Sequence, residues 1–253
     1  MWLKNSDLIV KTVFTALLIG CSIPSYSLEE TPSKVHSDVI WQASFEGQTL
    51  DGWNYLLHPL GIQISNEHAF GGEYAAKISL EGSQDFIWYN NPKLNRSEMQ
   101  YKPNSVIEGK QTHMRFSFML PELFTNSRHE FAYWESTQSY QQLMRFNLAA
   151  NRLSFSPAIG IQKNKTLWTR EDLQPGVWYT IDMRILWSSS ESLGRISIYL
   201  DGKSVLSKHS MQTLLKNEAA FIQLGILRDQ TDLVETIWID EVLELSTDWA
   251  AQD

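Results

Sequence analysis

The sequence predicts an all-β protein, a sandwich or jelly roll of two antiparallel sheets. Three observations lead there. Short apolar runs of strand length recur along most of the chain, and several alternate apolar with polar residues at a period of two. Turn chemistry separates them, as at Gly71-Gly72, Ala150-Asn151 and Asp201-Gly202. One stretch alone, Met211 to Ala220, reads as a helix, and a short one. The chain has 253 residues, 43% of them hydrophobic, which is enough for one large β domain with a buried core or for two small ones.

The elements follow in order. Residues 1–20 read as a targeting segment: Lys4 and Lys11 supply positive charge, and the apolar run Thr12 to Ile19 is too short to span a bilayer comfortably. It ends Leu18-Ile19-Gly20-Cys21, which resembles a bacterial lipobox, and Cys21 is the single cysteine of the chain. The expectation is a signal peptide over 1–20, lipidation at Cys21 and, because Ser22 is not an aspartate, an outer-membrane lipoprotein. An ordinary secretory signal cut after Ser27 is the other reading, and both export the protein. Residues 21–38 are polar, hold Pro24 and Pro32, and read as a flexible tether. The folded domain is expected over 39–248.

Within it, Val39 to Phe45, Gly61 to Ser65 and Tyr74 to Leu80 are the first strands. Thr112 to Leu120 alternates, with Met114, Phe116 and Phe118 toward a core and His113, Arg115 and Ser117 outward. Gln142 to Leu148 and Arg152 to Ser156 form a hairpin. Val177 to Trp187 is the longest strand, with Val177, Tyr179, Ile181, Met183 and Ile185 on one face. Arg195 to Leu200 and Lys203 to Leu206 flank the Asp201-Gly202 turn, and Thr236 to Leu245 is the last strand. In Phe221 to Asp229, Ile222, Leu224 and Ile226 point to the core. Phe221, Gln223, Gly225, Leu227 and Asp229 point the other way, and Gly225 leaves a gap where a ligand can approach the backbone.

The formal net charge of −8 argues against non-specific nucleic-acid binding. One cysteine excludes an intramolecular disulfide. The sequence holds no metal-ligand cluster of useful spacing, no phosphate-binding glycine loop and no serine elbow. No cofactor or metal is expected, the lipid anchor is the one expected membrane contact, and a monomer is expected.

Five stretches carry a resemblance. Arg96-Ser97-Glu98-Met99, Tyr133-Trp134-Glu135, Pro175-Gly176-Val177-Trp178, Gly194 to Gly202, and Gln223-Leu224-Gly225-Ile226-Leu227 with Arg228 stand in one order. In that order they resemble the motifs of the jelly-roll polysaccharide lyases of the alginate, glucuronan and heparin type, over most of Val39 to Leu245. The resemblance implies a concanavalin A-like fold and an acidic, uronate-containing polysaccharide as partner, cleaved by β-elimination. There a base takes the C5 proton, an acid assists the O4 leaving group, and a neutraliser holds the C6 carboxylate. The chain departs from the family pattern: Tyr133 replaces the usual glutamine, Glu135 the histidine, Gln223 the lysine and Leu227 the tyrosine.

The resemblance and the strand parity together nominate Tyr133, Glu135 and Arg96 as catalytic. Glu98, His129, Arg145, Gln223 and Arg228 are nominated as substrate-binding. His129, Phe131, Tyr133 and Glu135 share one parity. The competing reading is a non-catalytic glycan-binding or structural lipoprotein on the lyase scaffold. A third, a glycoside hydrolase, needs paired carboxylates, and the odd separation of Glu130 from Glu135 puts that pair on opposite faces of a regular strand.

Overall fold

The structure is a computed structural model and describes residues 38–82, 86–89 and 91–246. The expected signal peptide, Cys21 and the tether up to residue 37 lie outside the described residues, as do residues 247 and 248 at the end of the expected domain. In chain order the strands are β1 (Val39–Ala43), β2 (Tyr55–Leu57), β3 (Ile62–Ser65), β4 (Ala75–Leu80), β5 (Ile87–Trp88), β6 (Asn91–Tyr101), β7 (Gln111–Met119) and β8 (His129–Ser136). They continue with β9 (Gln142–Ala149), β10 (Arg152–Pro157), β11 (Trp168–Arg170), β12 (Trp178–Leu186), β13 (Arg195–Leu200), β14 (Lys203–Ser210), β15 (Ala220–Asp229) and β16 (Glu235–Leu245).

Two antiparallel sheets result. One runs β14-β13-β12-β7-β16-β4-β3, with β1 also on β16; the other runs β11-β10-β9-β8-β15-β6-β2, with β5 also on β6. They pack as a jelly-roll sandwich. Strand alternation builds the core between them. Met114, Phe116 and Phe118 of β7 and Ile181, Met183 and Ile185 of β12 come from one sheet, and Phe131, Trp134, Ile222, Leu224 and Ile226 from the other. Phe131 meets Phe116 and Phe118 across the interface, and Trp134 meets Trp187 edge-on at 5.0 Å. Each such buried side chain contributes about 1.5–3 kcal/mol relative to exposure. Asp201 and Gly202 both take positive φ, 51° and 73°, as a tight two-residue hairpin turn between β13 and β14 demands.

The short helix expected over Met211 to Ala220 does not form. Its backbone donors go sideways: Thr213 and Leu214 N–H to the Ser188 carbonyl, and Met211 N–H to that of Gly194. The Thr213 hydroxyl adds a bond to the Leu186 carbonyl. Buried Met211, Thr213 and Leu214 hold the segment against the neighbouring loop. Val177, expected inside the long strand, precedes β12 and is exposed.

Candidate functional site

The site is built on three adjacent strands, β6, β15 and β8. In register, Gln223 lies beside Gln100 on β6 and Tyr133 on β8, Gly225 beside Glu98, and Leu227 beside Arg96 and Glu130. Residues paired across a sheet share a face, so these side chains stand together on the side away from the core. Arg96 is the hub. Its Nε donates to Glu98 Oε2 at 2.8 Å, its Nη2 donates to the Tyr133 hydroxyl at 2.6 Å, and its guanidinium lies 4.5 Å from the ring centre of Trp88. Gln223 Nε2 donates to Glu135 Oε2 at a long 3.5 Å. Glu98 is fully buried, and Arg96, Tyr133, Glu135 and Gln223 nearly so.

Gly225 does not leave a gap for a ligand. A Cβ there would lie 2.2 Å from the Ser97 carbonyl oxygen and 2.7 Å from Glu98 Cα, with Glu98 Cγ at 3.0 Å. The neighbouring strand and its Glu98 side chain occupy the space. The glycine φ of 153° adds backbone strain for any other residue.

The electrostatics follow from burial. Desolvation pushes Glu135 up to about 7, Arg96 pulls against it, and Glu98 and Glu130 push further. Glu98 is also raised, because burial outweighs the attraction of Arg96. Burial, then the neighbouring Glu98, holds the Tyr133 phenol well above its usual range, so it keeps its proton. For Arg96, burial works against the charge, but Glu98, Tyr133 and Glu135 prevail and its pKa rises. The arrangement therefore contains a carboxylate that changes charge near neutrality, a neutral phenol and a fixed cation. Glu98 Oε1 and Gln223 Oε1 are buried acceptors with no hydrogen-bond partner among the described residues.

Above these residues lies a groove of about 890 Å³. Arg96, Glu135 and Gln223 line it, as do the aromatic side chains Tyr55, Trp88, Tyr89, Tyr140 and Phe221. Among the described residues no group of three or more His, Cys, Asp or Glu side chains is placed to hold a metal ion.

Of the residues nominated from sequence, the groove face brings together Arg96, Glu98, Tyr133, Glu135 and Gln223. Arg145 is on the same face, paired in register with Tyr133, but its guanidinium is engaged. Nη2 donates to Asn164 Oδ1 at 2.7 Å, Nη1 to Gln142 Oε1 at 3.2 Å, and Nε lies 3.6 Å from Glu130. His129 and Arg228 are not there. Both are fully buried between the sheets, where His129 Nε2 lies 2.7 Å and Arg228 Nη1 2.5 Å from Glu235 Oε2 of the opposite sheet.

The cause is a break in alternation on β8. Phe131 and Ala132 both enter the core, and the register with β9 slips between Glu130 and Ala132. His129 is thereby turned inward, and Glu130 outward onto the face of Tyr133 and Glu135. The opposite-face placement of Glu130 and Glu135 is thus corrected: they share a face. Glu130 accepts from Gln142 and lies within 3.7 Å of Arg128. Sequence reasoning missed Trp88 and the groove tyrosines Tyr55, Tyr89 and Tyr140, and put Glu130 on the wrong face; Trp88 sits in a two-residue strand without periodicity, and a bulge has no signature in the residues of β8.

No curated protein matches the sequence significantly. Among solved structures, the chain is similar to an endo-β-1,4-glucuronan lyase from the fungus Trichoderma reesei, at 17% identity and TM-score 0.65, over 83% of this chain and 96% of that one. It is also similar to the catalytic domain of a GH131 β-glucanase from Podospora anserina, at 15% identity and TM-score 0.60, over 83% and 96%. An alginate lyase of polysaccharide lyase family 7 matches at 12% identity and TM-score 0.52, over 74% and 82%. At these identities the likeness is one of fold. The sequence itself matches the family model described as polysaccharide lyase over residues 45–243, and the chain therefore belongs to the polysaccharide lyase family.

Proposed function

We propose that the protein is a lyase that cleaves an acidic, uronate-containing polysaccharide by β-elimination. The observation that carries this reading is the pairing of Glu135 at about 7 and the cation Arg96, both lining one groove, with a proton-keeping Tyr133 bonded to Arg96 just beneath it. Glu135, as carboxylate, takes the C5 proton of the bound uronate. The electron pair forms the C4–C5 double bond as the C4–O4 bond breaks. Tyr133 gives its proton to the departing oxygen. Arg96 and the Gln223 amide hold the substrate carboxylate, where negative charge builds in the enolate. A base near 7 and an acid far above it suit these two tasks at neutral pH.

The test is direct. Purified protein incubated with glucuronan, alginate and other uronate polysaccharides should release unsaturated ends that absorb in the ultraviolet. New reducing ends without that absorbance would replace the lyase by a glycoside hydrolase. One observation favours this second reading: Glu98, Glu130 and Glu135 share the groove face, and hydrolysis needs two carboxylates. Binding without any product would leave a glycan-binding protein on the lyase scaffold. The lipobox-like ending supports an outer-membrane lipoprotein anchored through Cys21. Labelled palmitate should enter the wild type and not Cys21→Ser, and equal labelling of the two would sink the anchor.

A further inference from the structure

The charge and the walls of the groove bear on which polysaccharide it takes. A polyuronate carries a carboxylate on every ring, so a groove built for it needs cations repeated along its length. Here the charged residues lining the groove are Arg96, Lys102 and Glu135. Arg96 is already paired with Glu98. Arg145, on the same face, and Arg128, just before β8, are engaged by Glu130. The chain as a whole carries −8, which opposes a polyanion at long range.

The flanks are aromatic instead. Tyr89, next to β5, is 78% exposed and Tyr55 of β2 57%; both lie on the β6 side of the groove. Tyr140, in the turn between β8 and β9, is 69% exposed and packs toward Phe221 at 6.3 Å. The strands that carry these two flanks, β2 and β8, lie three strand spacings apart, about 14 Å across the sheet. Exposed aromatic faces bind the apolar faces of sugar rings and supply contact area without requiring charge.

We infer that the groove takes a heteropolysaccharide in which a single uronate, held at Arg96, is flanked by neutral hexoses that stack on Tyr89 and Tyr140. This rests on the lyase reading for the central uronate and narrows it for the neighbouring units.

The test compares gellan chains of low molecular weight, whose glucuronate is flanked by neutral hexoses, with glucuronan, a homopolymer. Binding to the full chain is measured by calorimetry at two salt concentrations, and unsaturated product by absorbance in separate runs. Gellan should bind at least tenfold more tightly. Tripling the salt should weaken it by no more than about threefold, the change a single ion contact gives. Tyr89→Ala and Tyr140→Ala should each weaken gellan binding by roughly tenfold, as lost aromatic stacking does. Tighter binding of glucuronan, a steep salt dependence, no binding of gellan, or indifference to both tyrosine substitutions would overturn the inference. Product from glucuronan faster than from gellan would also overturn it while leaving the lyase reading standing. Gellan bound with these properties but never cleaved would uphold it while sinking the lyase reading.

Discussion

Two arginine–glutamate pairs lie on β6, β15 and β16, and the fold treats them in opposite ways. Arg228 and Glu235 sit between the sheets. Both oxygens of Glu235 are occupied, Oε2 by Arg228 and His129 and Oε1 by the Thr125 N–H at 3.1 Å. Although burial opposes its charge, these hydrogen bonds take Glu235 down to about 2. Arg96 and Glu98 face the groove. There Glu98 Oε1 has no partner, and the carboxyls of Glu98 and Glu135 are raised rather than lowered. The carboxylate of the first pair is fully satisfied inside the protein, although Arg228 Nε has no partner there; the carboxylate of the second lacks a partner on one oxygen, just beneath the groove. Burial is common to both and distinguishes nothing. The satisfaction of the acceptors and the direction of the carboxylate shifts separate a structural ion pair from a site.

The comparison predicts different kinds of damage. Arg228→Ala should cost about 3–5 kcal/mol in denaturant unfolding, because Glu235 is left as a buried charge with less to balance it. The protein that still folds should retain its turnover, since nothing at Arg228 reaches the groove. The same cluster should make stability fall in acid. A carboxyl depressed to about 2 contributes stability that is fully present above its usual value of 4.5 and is lost as pH falls toward 2. Tyr133→Phe should do the reverse. Turnover should drop by about 10²-fold or more, the range of a lost general acid. Unfolding should show about 1–3 kcal/mol for the Arg96 donor left without its partner. A Tyr133→Phe protein with wild-type turnover would erase the distinction drawn between the pairs.

The same pairs show what was legible in the sequence. The core strands were, because alternation is local: Met114, Phe116 and Phe118, and Ile222, Leu224 and Ile226, face inward as a period of two requires. Arg228 was legible too, for alternation puts it opposite Gln223; only the family pattern moved it toward the groove. His129 was not. Its inward turn depends on the bulge at Phe131–Ala132, which is fixed by packing against β9 and β15 and not by the residues of β8. The missing helix over Met211 to Ala220 has a similar cause: donors that local propensity would assign to the segment itself are taken by the Ser188 and Gly194 carbonyls. Trp88 acquires its role only by lying against Arg96, a contact between strands with no trace in spacing.

A further measurement reads the groove alone. If Glu135 is the base, turnover should rise with pH through about 7 and level off above it, as the carboxylate form fills. Glu135→Gln should abolish that limb together with most of the turnover. A wild-type profile flat between pH 5 and 9 would take the base role away from Glu135.

The smallest expected effect is the sharpest test of the bulge. Glu130 reaches the groove face only because alternation breaks at Phe131 and Ala132. From there its negative charge helps to raise Glu135, after burial and Glu98. Glu130→Gln removes the charge while keeping an oxygen that can accept from Gln142. Without that repulsion Glu135 ionises more readily, so the rising limb of the pH profile should move to lower pH. Arg145 and Arg128, no longer neutralised by Glu130, act in the same direction. On a regular β8, Glu130 would point into the core, shielded from Glu135 by the sheet, and its loss would appear as destabilisation with the limb unmoved. A limb that stays in place in a stably folded Glu130→Gln protein would therefore remove Glu130 from the site, and leave Glu98 and Glu135 as the two carboxylates on which the hydrolase alternative has to rest.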